Sequence, residues 1–278
     1  MSDEPATYLP KPNSELDAKT RTDDPFARLR QFTRARIGLG RAGDALPTKA
    51  LLAFQAAASE ARDAVHASLD IAALQTALAP RCCIEVASRA DDRTIYLLRP
   101  DLGRQLGPGE APLDAAHGDY DIAFVIADGL SARAVMEHAA VFLKACETKL
   151  PDWSIAPIVL ATQARVALGD AVAQRLGAKM VAVLIGERPG LSVADSLGVY
   201  LTWAPQADHP DSLRNCISNI HADGLGYDRA ATLLAWLAHE ARTRRLTGTA
   251  LKPDLSSLAG ISDERTSDEH SSRLEKNP

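Results

Sequence analysis

Five consecutive apolar residues, Val181–Ile185, are followed at once by Gly186, Glu187, Arg188 and Pro189-Gly190. An apolar run of this length, closed by turn residues, reads as a strand buried on both faces. Similar runs precede it at Ile122–Ala127 and Ile158–Ala161, and another follows at Val199–Trp203. Segments of helical composition lie between the first three: Ala132–Leu150 and Leu168–Leu176, the second closed by Gly177 as a helix C-cap. Strands alternating with helices specify a parallel sheet covered on both faces. Right-handed crossovers then bring three post-strand turns to one edge: Asp128-Gly129, Gln163–Val166 and Gly186–Arg188. Ligands of open α/β sheets bind at that edge. A Glu-Arg pair held there between Gly and Pro is therefore a candidate site.

The rest of the chain is arranged around this region. Residues 1–23 lack an apolar period and read as a flexible arm. Asp24-Pro25 resembles a helix cap followed by Pro at the first helical position, opening an expected helix Phe26–Ile37. Its arginines are either a solvated face or a basic docking face for an acidic partner subunit. The spacing Gly38-x-Gly40-x-x-Gly43 has the form of a dinucleotide fingerprint but follows a helix, so it is read as a loop. Helices are expected at Thr48–His66 and Ile71–Leu78, then a β-hairpin of Cys83–Ser88 and Thr94–Leu98. The loose stretch Gly107–His117 marks a domain boundary. Ser192–Leu197 is read as a short helix, Asp228–Thr243 as a closing helix, and residues 252–278 as a disordered tail.

The fold expected is therefore α/β, with a mainly helical N-terminal region (24–110, including the small hairpin) followed by a Rossmann-like domain (111–251) with a mostly parallel sheet. A net charge of −5 offers nothing to nucleic acid or an anionic membrane. No apolar stretch approaches the roughly 20 residues that span a bilayer. The acidic, Pro-rich opening is unlike a secretory signal. Cys82, Cys83, Cys146 and Cys216 include no CxxC pair and no zinc spacing, which suits a reduced compartment. Metal-protease, P-loop and serine-hydrolase signatures are absent. Ser131 follows a strand, with no His and Asp readable as its partners.

Five short motifs occur in order: GRAG at Gly40–Gly43, RPDLGR at Arg99–Arg104, DGLS at Asp128–Ser131, GERPGL at Gly186–Leu191 and CISNIH at Cys216–His221. With them the sequence resembles the small (light) subunit of ethanolamine ammonia-lyase from about Asp24 to Leu246. That resemblance implies a carbon–nitrogen lyase using adenosylcobalamin. Homolysis of the cobalt–carbon bond yields a radical that takes hydrogen from ethanolamine, and acetaldehyde and ammonia follow. It also implies a large subunit, a TIM barrel holding the substrate, with the cofactor between the two chains and no catalytic residue on this one. The cofactor contacts carried over are Val166 of the ARV turn, Glu187 of GER and Cys216 of CISNIH. Val166 would pack against the ring system, Glu187 would accept hydrogen bonds, and Cys216 would pack closely without ligating cobalt. The DxHxxG pattern that supplies a cobalt-ligating histidine elsewhere is matched only by Asp268-Glu269-His270, with Arg273 in place of Gly. No metal ligand is therefore assigned, and His221 reads as structural. The expected setting is the bacterial cytoplasm, within a microcompartment. Two other classes remain open: a Rossmann-like nucleotide-binding or regulatory module, and a structural adaptor in which Glu187 is dispensable.

Overall fold

The computed structural model describes residues 26–33, 35–109 and 111–253. The expectations for the arm, for Asp24-Pro25 and for residues 254–278 lie outside them. The chain divides into two compact units, up to Ala58 and from Ser59 onward.

In the first unit the helix expected over Phe26–Ile37 reduces to one 3-10 turn, Leu29–Gln31. The Arg30 guanidinium donates to the Ile37 and Gly38 carbonyls, folding the chain back instead of extending it as a helix. Gly38, Gly40 and Gly43 all have positive φ, so the Gly-rich spacing is the expected loop. The first helix, α1 (Thr48–His66), then begins and crosses the boundary between the units.

The second unit is an α/β layer structure. Its elements run α2 (Ile71–Leu78), β1 (Cys83–Ala87), α3 (Arg93–Leu98), α4 (Pro100–Gly103), α5 (Ala111–Ala115), β2 (Tyr120–Ala127), α6 (Ala132–Lys149), β3 (Ile158–Thr162), α7 (Leu168–Leu176), β4 (Ala178–Gly186), β5 (Leu197–Trp203), β6 (Asn215–Ile220) and α8 (Tyr227–Arg244). The six strands form one sheet in the order β1-β3-β2-β4-β5-β6.

That sheet is mixed: the parallel pairing expected holds for β1 to β4, and the last two pairings are antiparallel. β1–β3, β2–β3 and β2–β4 run parallel, whereas β4–β5 and β5–β6 run antiparallel. The cause lies in the connections. A parallel return needs a crossover long enough to span the sheet, usually a helix. α6 and α7 supply it after β2 and β3. Glu187–Ser196 contains no helix, only a turn closed by Gly190 N–H on the Val193 carbonyl and Glu187 N–H on the Ser196 carbonyl. The chain must therefore double back, and the short helix expected at Ser192–Leu197 is absent.

The expected hairpin is also corrected. Cys83–Ala87 pairs parallel with β3, in register from Cys83 with Ile158 to Ala87 with Thr162. Its supposed partner is a helix, α3, whose N-cap Asp92 accepts from Ile95 N–H. Asp before a short apolar segment is a cap signal that outweighs the β-branched Thr94 and Ile95.

Continuous apolar strands arise because both faces are covered. Met180, Ala182 and Leu184 join Phe124, Ile126, Phe142 of α6 and Leu234 of α8 in one core. Val181, Val183 and Ile185 join Val125, Val159, Val172 and Leu176 of α7 in the other. Full burial of each large side chain contributes about 1.5–3 kcal/mol before the entropy of ordering is set against it. No described helix is long and apolar enough to cross a membrane.

Candidate functional site at the strand ends

The carboxyl ends of β2, β3 and β4 lie side by side, so the turns after them meet. Asp128 joins two of them. Its buried carboxylate accepts the backbone N–H groups of Gln163 and Ala164 at 2.9 and 3.0 Å. Burial pushes this carboxyl above its ordinary pKa, against those two donors and the Arg93 guanidinium at 3.6 Å. The third turn closes on the first through Leu130 N–H and the Gly186 carbonyl, 2.9 Å apart. Gly129 has φ 56°, and a Cβ there would run into the Gly186 oxygen and the Ile185 side chain. A Cβ on Gly186 would in turn strike the carbonyls of Asp128 and Ser131. The glycines of DGLS and GER are thus what lets the two backbones touch.

Between these turns lies a cavity of about 310 Å³ lined by Tyr96, Gly129, Leu130, Arg165, Val166, Ile185, Gly186, Glu187, Arg188 and Tyr200. Val166 and Glu187, both half-buried, are brought together here. Glu187 is held firmly: its Oε2 accepts the Ser196 hydroxyl at 2.5 Å and the Asn219 N–H at 3.3 Å. Cys216 does not line the cavity. It pairs with Tyr200 across the β5–β6 ladder, and the two side chains share a hydrogen bond. Desolvation pushes the Cys216 thiol above its ordinary pKa, the Tyr200 hydrogen bond pulls it down, and Glu187 pushes it up again, so it remains a neutral thiol. Cys216 is exposed on β6, one strand over from the cavity, beside the lining residue Tyr200.

The opposite wall is aromatic and cationic. Tyr96 is buried, with the Arg93 and Arg165 guanidinium groups 4.7 and 4.4 Å from its ring centroid. Its hydroxyl donates to the Ala164 carbonyl at 3.3 Å. Burial pushes its pKa up to about 12. Arg165 is fixed by its backbone N–H on the Gly103 carbonyl and by Nη2 on the Tyr96 carbonyl. A Cβ on Gly103 would press on Arg165 and the Tyr96 ring, which places RPDLGR behind this wall. Two buried nitrogens, Arg93 Nη2 and Arg165 Nε, have no hydrogen-bond partner.

A chain of ion pairs runs from here to β6. Arg104 meets Asp211, Asp211 meets Arg214, and Arg214 makes a buried bidentate pair with Asp170 of α7. It ties the start of α7, just after Val166, to the strand that carries Cys216.

Sequence reasoning missed Tyr96, Arg93, Arg165, Tyr200 and Ser196. Tyr96 and Arg93 were hidden by the mistaken hairpin. Tyr200 was legible as the polar-tipped residue inside an apolar strand. Ser131 is occupied as the α6 N-cap, accepting Ala134 N–H and donating to the Ala194 carbonyl. His221 is buried, with Nε2 on Asn219 Oδ1 at 3.0 Å. All four cysteines are free. Among the described residues Glu137, His138 and Asp195 are the one group whose ligand atoms approach within 4.8 Å; none of them lines this cavity.

A lining of Val166, Leu130 and Ile185 with two tyrosines suits an apolar ring plane, and Glu187 with Arg165, whose Nε is buried without a partner, suits amide groups at its rim. A corrin with its nucleotide tail is larger than 310 Å³, so these residues fit part of a cobalamin, with the remainder left to another surface.

Comparison with known proteins places most of the chain. Residues 23–252 match the family described as ethanolamine ammonia-lyase light chain (EutC). The chain is 52% identical over 242 residues to the ethanolamine ammonia-lyase small subunit of Ralstonia nicotianae, covering 84% of this chain and 90% of that one. It is 50% identical over 247 residues to the small subunit of Azotobacter vinelandii, covering 86% and 92%. It is also 50% identical over 240 residues to that of Xanthomonas campestris pv. campestris, covering 83% and 88%. The chain belongs to the ethanolamine ammonia-lyase small-subunit family.

Proposed function

We propose that this chain is the small subunit of an adenosylcobalamin-dependent ethanolamine ammonia-lyase and that its strand-end cavity holds one part of the cofactor against the large subunit. The observation that carries the reading is the convergence of Val166, Glu187 and, through Tyr200, Cys216 on one edge of the sheet. Family membership supplies the reaction class, a lyase acting on ethanolamine. The parallel part of the sheet, β1 to β4 with helices on both faces, is read as the Rossmann-like portion that presents this edge.

Each wall has a distinct task. Val166, Leu130 and Ile185 exclude water from the ring plane. Glu187 presents a carboxylate already oriented by Ser196 and Asn219, so little side-chain entropy remains to be lost on binding. Arg165 offers donors to the cofactor's carbonyl oxygens, and Arg93 supports the wall from behind Tyr96. Tyr200 and Cys216 stay neutral beside Glu187. When bound, adenosylcobalamin supplies a carbon radical through homolysis of its cobalt–carbon bond; this chain binds and shields, and the substrate pocket belongs to the large subunit. The same reading puts the complex in the bacterial cytoplasm, within a microcompartment.

The test is ammonia and acetaldehyde release from ethanolamine with adenosylcobalamin. Turnover is expected only when this chain and a large subunit of the family are mixed. An inactive mixture, with this chain alone retaining a nucleotide through gel filtration, would overturn the reading in favour of a nucleotide-binding module.

A further inference from the structure

Away from the strand-end cavity, one histidine nitrogen is buried with nothing to bond. His138 of α6 is 1% exposed. Its Nδ1 lies 2.8 Å from the Tyr227 hydroxyl at the start of α8, and its Nε2 has no hydrogen-bond partner. An imidazole nitrogen left bare in the interior forgoes the bond it would make to water. What stands near it is negative charge. One ligand atom each from Glu137, His138 and Asp195 lie within 4.8 Å of one another, the one such group among the described residues.

Two elements bring the group together. Glu137 and His138 are neighbours on α6, and Asp195 comes from the turn between β4 and β5. That turn is held against α6 by the Ser131 hydroxyl, which donates to the Ala194 carbonyl at 3.0 Å. Next in sequence, Ser196 donates to the Glu187 carboxylate. Neither acid of the group is neutralised. Glu137 meets Arg133 at 3.9 Å, with both side chains about half exposed, a pair worth little in water. Among the described residues Asp195 has no ion-pair partner. Burial, and then the Glu137 and Asp195 charges, push the Tyr227 phenol above its ordinary pKa, so it stays protonated beside them.

Two anionic oxygens and a bare imidazole nitrogen are a ligand set for a cation. Zinc takes histidine nitrogen at about 2.0–2.1 Å and carboxylate oxygen at about 2.0–2.2 Å, so tetrahedral ligand atoms stand about 3.4 Å apart. The exposed Glu137 side chain and the turn-borne Asp195 reach that spacing by roughly 1 Å of closure. The imidazole sets the class of ion. Magnesium and calcium prefer oxygen alone, whereas nitrogen with carboxylate suits zinc and its first-row neighbours. Metal-ligating histidines donate their other ring N–H to a fixed acceptor. Tyr227 Oη is placed to accept from Nδ1, which leaves the Nε2 lone pair for the ion.

We infer that Glu137, His138 and Asp195 form a site for a divalent transition-metal ion, zinc by ligand preference, with water completing its coordination. The ion ties α6 to the turn that carries Glu187 and Ser196. The site shares no residue with the strand-end cavity and is independent of the lyase reading.

The test is zinc titration of the metal-stripped full chain at neutral pH by calorimetry. The wild type is expected to take up one zinc ion per chain and to melt at a higher temperature with it. Glu137→Gln and Asp195→Asn each change a side chain that water reaches, and are expected to keep the wild-type circular dichroism and melting temperature without metal. Each is expected to bind zinc at least about tenfold more weakly, the cost of losing even an outer partner of a metal site. His66→Gln, at an exposed histidine on α1, is expected to bind zinc as wild type. Hydrogen exchange on the wild type needs no variant: zinc is expected to slow the amides of Glu187–Ser196. Wild-type zinc affinity in either carboxylate variant would overturn the site. So would the absence of saturable zinc binding, unchanged exchange across the turn in the zinc-loaded chain, or magnesium binding as tight as zinc.

Discussion

Replacing Asp170 by Asn is expected to cost about 4 kcal/mol of folding stability. The Asp170 and Arg214 side chains are 2% and 1% exposed. They meet in a fork, Nη1 to Oδ1 at 2.8 Å and Nη2 to Oδ2 at 2.7 Å. Arg214 also donates to Thr202 Oγ1 at 3.0 Å and to the His209 carbonyl at 3.3 Å, so its orientation is set on several sides. Asn keeps the shape but removes the buried counter-charge and turns an N–H₂ group toward a guanidinium donor. Removing one partner of a buried pair costs about 3–5 kcal/mol, because the other charge is left uncompensated. The remaining carboxylate near Arg214, Asp211, is 64% exposed and screened by water, so it offsets little of this. For a chain of this size the loss corresponds to a fall in melting temperature of about 10 °C. Urea unfolding followed by circular dichroism measures it directly. A second variant separates charge from packing: Asp170→Leu with Arg214→Met removes both charges and is expected to lose less than half as much. A loss below about 1 kcal/mol for Asp170→Asn, or a double variant as unstable as the single, would refute the reasoning.

Gly129→Ala is expected to destabilise by about 3 kcal/mol or more, because φ is positive and the new methyl meets backbone; urea unfolding no different from wild type would contradict the packing of DGLS on GER. Tyr96 gives a pH dependence with a definite sign. Its folded pKa of about 12 stands above the ordinary 10, so its contribution is fully present below pH 10 and is lost as pH rises toward 12. At about 1.36 kcal/mol per pH unit this amounts to roughly 2–3 kcal/mol. Tyr96→Phe lacks that decline and forfeits about 1 kcal/mol at neutral pH with the Ala164 hydrogen bond. The two stability curves, measured by urea unfolding from pH 8 to 12, should therefore converge and cross; parallel curves would contradict the assignment.

The sheet was legible where two signals coincided. Val181–Ile185, Ile122–Ala127 and Ile158–Ala161 are apolar without alternation because cores lie on both sides of them, and the helices between them are long enough to read. α7 is found at Leu168–Leu176 as expected, with Gly177 left-handed at its C-cap (φ 75°). Strand direction was harder to read, because it depends on what a connection lacks. Glu187–Ser196 has Gly, Pro and Ser, and nothing local in its composition separates a short helix from a turn. Residues 83–98 failed for the opposite reason: Thr94, Ile95 and Tyr96 have strand propensity, but the Asp92 cap and helix packing prevail. Of the site, Val166 and Glu187 were reachable from the strand-end rule and family resemblance. Tyr96, Arg93 and Arg165 converge only in three dimensions, from segments some 70 residues apart, and no spacing in the sequence records that.

The proposed contact between the strand-end edge and the cofactor turns on the Glu187 carboxylate. Equilibrium binding of cobalamin to the complex reassembled from wild-type or Glu187→Ala small subunit tests it most directly. The alanine variant keeps the Glu187 N–H bond to Ser196 and loses only the carboxylate that Ser196 and Asn219 orient. The prediction is a complex that still assembles and binds cobalamin at least tenfold more weakly, about 1.4 kcal/mol or more. Unchanged cobalamin affinity in a correctly assembled complex would contradict it.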